Sequence, residues 1–153
     1  MKFKDLREFI AFLEDKGELR RISTPVSWEL EITEIADRMV KQGGPALLFE
    51  NVTGYDIPVL INMYGSDQRM AWALGVDHLD ELVDRLQGLL GLIHGPPEGL
   101  LNKVRTLGQL VHLGSFQHKT VDRAPCQEIV LKGDDVDLFQ LPIIKCWPMD
   151  AGR

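Results

Sequence analysis

Nothing in this sequence approaches the roughly 20 consecutive apolar residues needed to cross a bilayer as a helix. Basic clusters are equally scarce: 17 lysines and arginines stand against 23 aspartates and glutamates, a formal net charge of −6. Without a cationic stripe to displace counterions from phosphates, nucleic-acid binding is excluded as a function class. Cysteine is limited to Cys126 and Cys146, and Met1-Lys2-Phe3-Lys4-Asp5 leads straight into a charged amphipathic segment, unlike a secretion signal. Two thiols without a disulfide pattern fit a reducing cytoplasm, where the sequon Asn51-Val52-Thr53 is idle. The compact catalytic signatures are missing too: no GxGxxG, Walker loop, GxSxG elbow or HExxH occurs. What is present is ordinary globular composition, 44% hydrophobic and 26% charged over 153 residues, enough for one domain or a small domain plus part of another.

The strongest local signal is the join between a helix and a buried strand. Ile32, Ile35, Ala36, Met39 and Val40 recur at helical spacing, Gly43 suits a left-handed helix stop, and Pro45 cannot continue a helix. Ala46 to Phe49 is then an unbroken apolar run, the habit of a strand covered on both faces in an α/β sheet. Before it, Asp5 and Glu8 have capping-box spacing, with Leu6, Phe9, Ile10 and Leu13 behind them and Gly17 at the end. Glu18 to Ile22 reads as a short strand, and Ser27 as the N-cap of the second helix, with Glu29 and Glu31 at its positive end. Pro58 to Met63 reads as a further strand, forming a long-looped hairpin with the 46–49 strand. Ser66 and Asp67 open a short helix ended by Gly75, and a longer one runs from about Asp77, its Leu79, Leu82, Val83, Leu86, Leu89, Leu90 and Ile93 expected to pack on the strands.

His94-Gly95-Pro96-Pro97 marks a boundary. Leu100 to Leu113 is expected to be a connecting helix and Gly114 to Pro125 a linker, followed by strands at Ile129–Leu131 and Leu138–Ile144. The expected fold class is thus α/β, with a small N-terminal α/β domain over 1–95, a connecting helix and linker over 96–118, and the start of a second domain over 119–153. One or two strands cannot bury both faces unaided, so this last segment is expected to depend on something outside the chain.

Candidate chemistry is sparse. Cys126, Cys146 and His118 could be gathered for zinc, but the cysteines lie twenty positions apart and no ligand pair has metal spacing. Asp134, Asp135 and Asp137 cluster beside Gly133, yet lack EF-hand spacing and its closing glutamate, so a solvated turn is preferred. Gly88-Leu89-Leu90-Gly91 lies inside a helical pattern, where glycine serves close packing rather than phosphate. Glu29, Glu31 and Glu34 invite an acid–base role, but Glu31 and Glu34 line the exposed flank of an amphipathic helix. The structural reading is preferred for all of them. No catalytic, cofactor-binding or metal residue is assigned.

A resemblance carries the reading further. The run Leu30-Glu31-Ile32-Thr33-Glu34-Ile35-Ala36-Asp37-Arg38, continuing into Gly43-Gly44-Pro45-Ala46-Leu47-Leu48-Phe49-Glu50-Asn51, resembles the N-terminal domain of UbiD-type decarboxylases. Asp5-Leu6-Arg7-Glu8-Phe9 with Gly17-Glu18-Leu19 fits the same family. So do Ala124-Pro125-Cys126-Gln127, Gly133-Asp134-Asp135-Val136-Asp137-Leu138, Leu141-Pro142-Ile143 and Cys146-Trp147-Pro148 with Asp150-Ala151-Gly152. The stretch from about Gly65 to Thr120 matches only in pattern.

The resemblance implies a carboxy-lyase: a non-oxidative decarboxylase of aromatic or α,β-unsaturated acids, the best-known members acting on a polyprenylated 4-hydroxybenzoate in ubiquinone biosynthesis. It implies prenylated FMN with a divalent metal, often Mn2+, and K+, the flavin carrying the hard step. An arginine and two acidic residues of the family handle the substrate carboxylate and the proton. Family members are about three times longer, and the resemblance puts all these groups beyond Arg153. Residues 119–153 then correspond to the first strands of a truncated flavin-binding split β-barrel, and this chain alone is expected to be inactive and to bind none of these cofactors tightly. The partners implied are the remainder of the decarboxylase polypeptide and further copies of it in a homo-oligomer, in the cytoplasm, with peripheral membrane contact if the substrate is polyprenylated. The other function class is a short non-catalytic docking module that keeps the N-terminal domain. The ending inside a family motif favours the first.

Overall fold

The structure, a computed structural model, describes residues 3–93 and 120–150. In chain order it holds α1 (Leu6–Asp15), β1 (Leu19–Ile22), α2 (Glu31–Lys41), β2 (Ala46–Phe49), β3 (Val59–Ile61), α3 (Asp67–Ala73) and α4 (Asp80–Ile93). The connecting helix expected over 100–113 lies outside the described residues. By contacts the chain divides into one unit of Met1–Leu79 with Asp137–Arg153 and another of Asp80–Val136.

In the first unit β2 is the centre of a three-stranded sheet ordered β1-β2-β3. It runs parallel to β1, with Leu19 opposite Ala46, and antiparallel to β3, with Leu47 opposite Ile61. The parallel pairing needs a crossover, which α2 supplies, and the antiparallel pairing is the expected long-looped hairpin. Because side chains alternate along a strand, the apolar run of β2 feeds both faces. Leu47 and Phe49 join Val26, Ile32, Val52 and Val59, with Ile35 and Met39 of α2 packed against them. Ala46 and Leu48 join Phe9, Leu13 and Leu19, with Trp72 and Ala73 of α3 packed against them. The result is a layered α/β domain, with α2 on one face and α1 and α3 on the other.

The helix ends follow local chemistry. Asp5 caps α1 by accepting from the Glu8 N–H at 3.0 Å, while the Glu8 carboxylate accepts from the N–H of Lys4 rather than of Asp5. Ser66 caps α3. Gly43, at φ +63°, stops α2 in the left-handed region, as its position suggested. The start of α2 differs from expectation. Ser27 is not its N-cap: its hydroxyl accepts from the Glu29 N–H at 3.1 Å and closes a local turn. The helix begins at Glu31 after Leu30, whose φ of +65° lies in the left-handed region that a leucine occupies only at a cost of about 1–2 kcal/mol. Arg21 on β1 ties Glu14 to Glu50, both at 2.7 Å, and its hydrogen bond holds the Glu14 carboxyl below the ordinary carboxylate range.

The second unit contains α4, which begins at Asp80 rather than Asp77. Of its apolar residues, Val83, Leu86 and Leu90 are all at least half-exposed. The later strands are also corrected. Residues 120–150 contain three 3-10 turns, Pro125–Gln127, Gly133–Asp135 and Leu138–Gln140, and a single bridge from Lys145 to Glu29 in place of strands at 129–131 and 138–144. A strand needs a neighbouring edge, and Ile129, Val130 and Leu131 are all exposed without one.

Candidate functional site

The glutamates singled out above have structural occupations. Glu29 pairs with Lys145 at 3.0 Å, Glu31 accepts from the Ser27 N–H at 2.6 Å, and Glu34 pairs with Arg38 one helical turn on. These three carboxylates do not converge. Asp134 and Asp135 sit in a 3-10 turn, and Asp137 caps the next by accepting from the Phe139 N–H at 2.9 Å. Cys126 and Cys146 are both free and exposed, and His118 lies outside the described residues. Among the described residues no group of three or more His, Cys, Asp or Glu side chains could hold a metal ion.

Two arrangements escaped the sequence. In the first, Arg69 of α3 is 1% exposed yet charged. Its guanidinium reaches Glu18 at 2.5 Å and the Gly44 carbonyl at 3.1 Å, leaving Nε without a partner. Asn62, left-handed at φ +58°, donates to the carbonyls of Gly44 and Pro45. A Cβ on Gly65 would collide with the Asn62 side chain, which would have to move away. Arg69 and Asn62 together fasten the α2–β2 turn to the β3–α3 connection; the long, polar Arg69 sits within a helix signal that periodicity reads only through its apolar residues.

In the second, Lys145 meets the turn before α2. A cavity of about 190 Å³ lies there, bounded by Trp28, Tyr55, Phe139, Ile143, Ile144 and Lys145 among others. Its walls are mainly aromatic and aliphatic, and they present neither a nucleophile with its base nor a phosphate cradle. Geometry alone therefore names no reaction.

Comparison with known proteins supplies the family. Residues 10–86 match the family model described as the 3-octaprenyl-4-hydroxybenzoate carboxy-lyase N-terminal domain, and residues 118–153 match the Rift-related domain of the same carboxy-lyase. The chain belongs to the UbiD family. Among solved structures, the vanillic acid decarboxylase of Sedimentibacter hydroxybenzoicus in an open form is 35% identical over 56% of this chain and 20% of its own, with a TM-score of 0.51. The UbiD-class enzyme HmfF of Pelotomaculum thermopropionicum, in an evolved dimeric form with prFMN, is 32% identical over 63% of this chain and 21% of its own, with a TM-score of 0.48. The 3,4-dihydroxybenzoic acid decarboxylase AroY of Klebsiella pneumoniae is 28% identical over 56% of this chain and 20% of its own, with a TM-score of 0.48. The chain thus spans about a fifth of the length of the UbiD enzymes it resembles.

Proposed function

We propose that residues 1–153 are the N-terminal part of a UbiD-type non-oxidative decarboxylase of aromatic or α,β-unsaturated acids, and that this part is scaffold rather than catalyst. The observation that carries the reading is the order of the two family matches, 10–86 and then 118–153, along a chain covering about a fifth of its relatives. In this reading 1–95 is the N-terminal domain, 96–118 a connector, and 119–153 the opening of the flavin-binding barrel. The whole enzyme would be a cytoplasmic homo-oligomer using prenylated FMN with Mn2+ and K+. Its substrate would be an acid of that class, with peripheral membrane contact if the acid is polyprenylated. Bound prenylated FMN would supply the electron sink for decarboxylation. Among the described residues no cluster of three or more His, Cys, Asp or Glu side chains could hold that metal.

The test reads the gene beyond codon 153, expresses the complete frame in a host that makes prenylated FMN, and measures carbon dioxide released from 4-hydroxybenzoate-type and cinnamate-type acids. The expected result is a frame continuing for hundreds of codons and release above a boiled control. A frame closing at codon 153, with no release when the chain is combined with its neighbours in the same cell, would replace this reading by the docking module.

A further inference from the structure

The meeting of Lys145 with the α2 turn has a property that packing alone would not give it. The Lys145 N–H donates to the Trp28 carbonyl at 3.1 Å, and the Leu30 N–H donates to the Lys145 carbonyl at 3.3 Å. The Thr33 hydroxyl donates to that same carbonyl at 3.1 Å, and the Lys145 ammonium lies 3.0 Å from Glu29. One residue therefore carries four polar attachments, and its neighbour Ile144 packs against the main core cluster. On either side the chain satisfies itself: Asp137 caps the 138–140 turn, and Asp150 accepts from the Trp147 N–H at 3.0 Å. Ile143 and Trp147 flank the attachment and are exposed, Trp147 at 69%. Leu30, the acceptor side's partner, is the residue held in the left-handed region.

We infer that residues 143–147 are a latch, fastened through Lys145 to the 28–33 turn, that joins the part matched by the N-terminal domain model to the part matched by the Rift-related model. The latch opens as a unit and uncovers the 190 Å³ cavity beside Trp28 and Tyr55. The physical ground is the kind of contact. A close-packed segment opens only with the core, whereas one held by a few directional bonds over a cavity has its own, lower opening free energy. Leu30 adds to this: its left-handed backbone lacks glycine's freedom, so an attachment outside its own turn helps hold it. The inference does not depend on the decarboxylase reading.

Hydrogen exchange on the full 153-residue chain tests it. In the unaltered chain the amides of Leu30 and Lys145 should show one common protection factor once intrinsic exchange rates are divided out, lower than those of Leu47 and Phe49 of β2; two unrelated protection factors would overturn the latch. In a chain carrying Thr33→Val with Lys145→Met, which removes the hydroxyl bond and the ion pair, protection across 28–33 and 142–147 should fall together by about tenfold, β2 staying unchanged. A fall in one segment only, no fall, or a fall extending through β2 would each overturn it.

Discussion

Arg69 and Glu18 form a pair whose two ends differ in surroundings, and the difference has a measurable consequence. Arg69 is 1% exposed, while the Glu18 side chain keeps 38% of its surface in water. Removing the acid strands a buried cation; removing the cation leaves an acid that water can solvate. Breaking a buried pair costs about 3–5 kcal/mol when a charge is left uncompensated, and less where one partner is half-exposed. Glu18→Gln should therefore lower the unfolding free energy in urea by about 2–3 kcal/mol. Arg69→Met should cost about 1 kcal/mol or less, because Asn62 still donates to the Gly44 carbonyl. Equal losses for the two variants would mean that the burial asymmetry is not what governs this pair. None of this was legible beforehand. A charged residue within a helical pattern reads as solvent-facing, and only the approach of the Gly44 turn, some twenty-five positions earlier, gives it an interior partner. Leu30 hid for a similar reason: leucine carries no signal for a left-handed backbone, so the serine three positions earlier took the N-cap assignment.

Elements specified by their own residues were read more fully. The Gly43 stop, the Pro45 break and the apolar run to Phe49 placed β2, and the covered-on-both-faces pattern is realised as two clusters on opposite sides of one strand. The capping residues Asp5 and Ser66 were visible because their chemistry lies within three residues of the group they satisfy. The strands assigned over 129–131 and 138–144 failed for the opposite reason, since a strand is a property of a pair and apolar content does not supply the second member. Helix α4 shows the same limit: its stripe was legible, but what the stripe packs against was not. Among the described elements β2 should be the most sensitive to truncation. Phe49 is fully buried, so Phe49→Ala should lower stability by about 3–5 kcal/mol. The apolar and exposed Leu86 should tolerate Leu86→Ala within about 0.5 kcal/mol. Thermal or urea unfolding of the two variants side by side checks the contrast, and a costly Leu86→Ala would reveal a burial partner for α4.

At the scale of the whole molecule, family and chemistry separate. Membership of the UbiD family rests on ordered matches over most of the chain, whereas the reaction belongs to much longer proteins, of which the matched part covers about a fifth. No helix among the described residues is long and apolar enough to cross a membrane. The N-terminus of α3 is capped by the Ser66 hydroxyl, and an exposed helix end contributes about 1 kcal/mol or less to anion binding. Micromolar binding needs about 8 kcal/mol. The sequence made the family legible, since that lives in local motifs such as Gly43 to Asn51, whose helix stop and apolar run are folding signals and name no site by themselves. The most direct measurement is a titration of the pure 153-residue chain with prenylated FMN in the presence of Mn2+ and K+, followed by an assay with 4-hydroxybenzoate-type and cinnamate-type acids. A scaffold should show no saturable flavin uptake and no carbon dioxide above a boiled control; stoichiometric uptake, or release above that control, would contradict it.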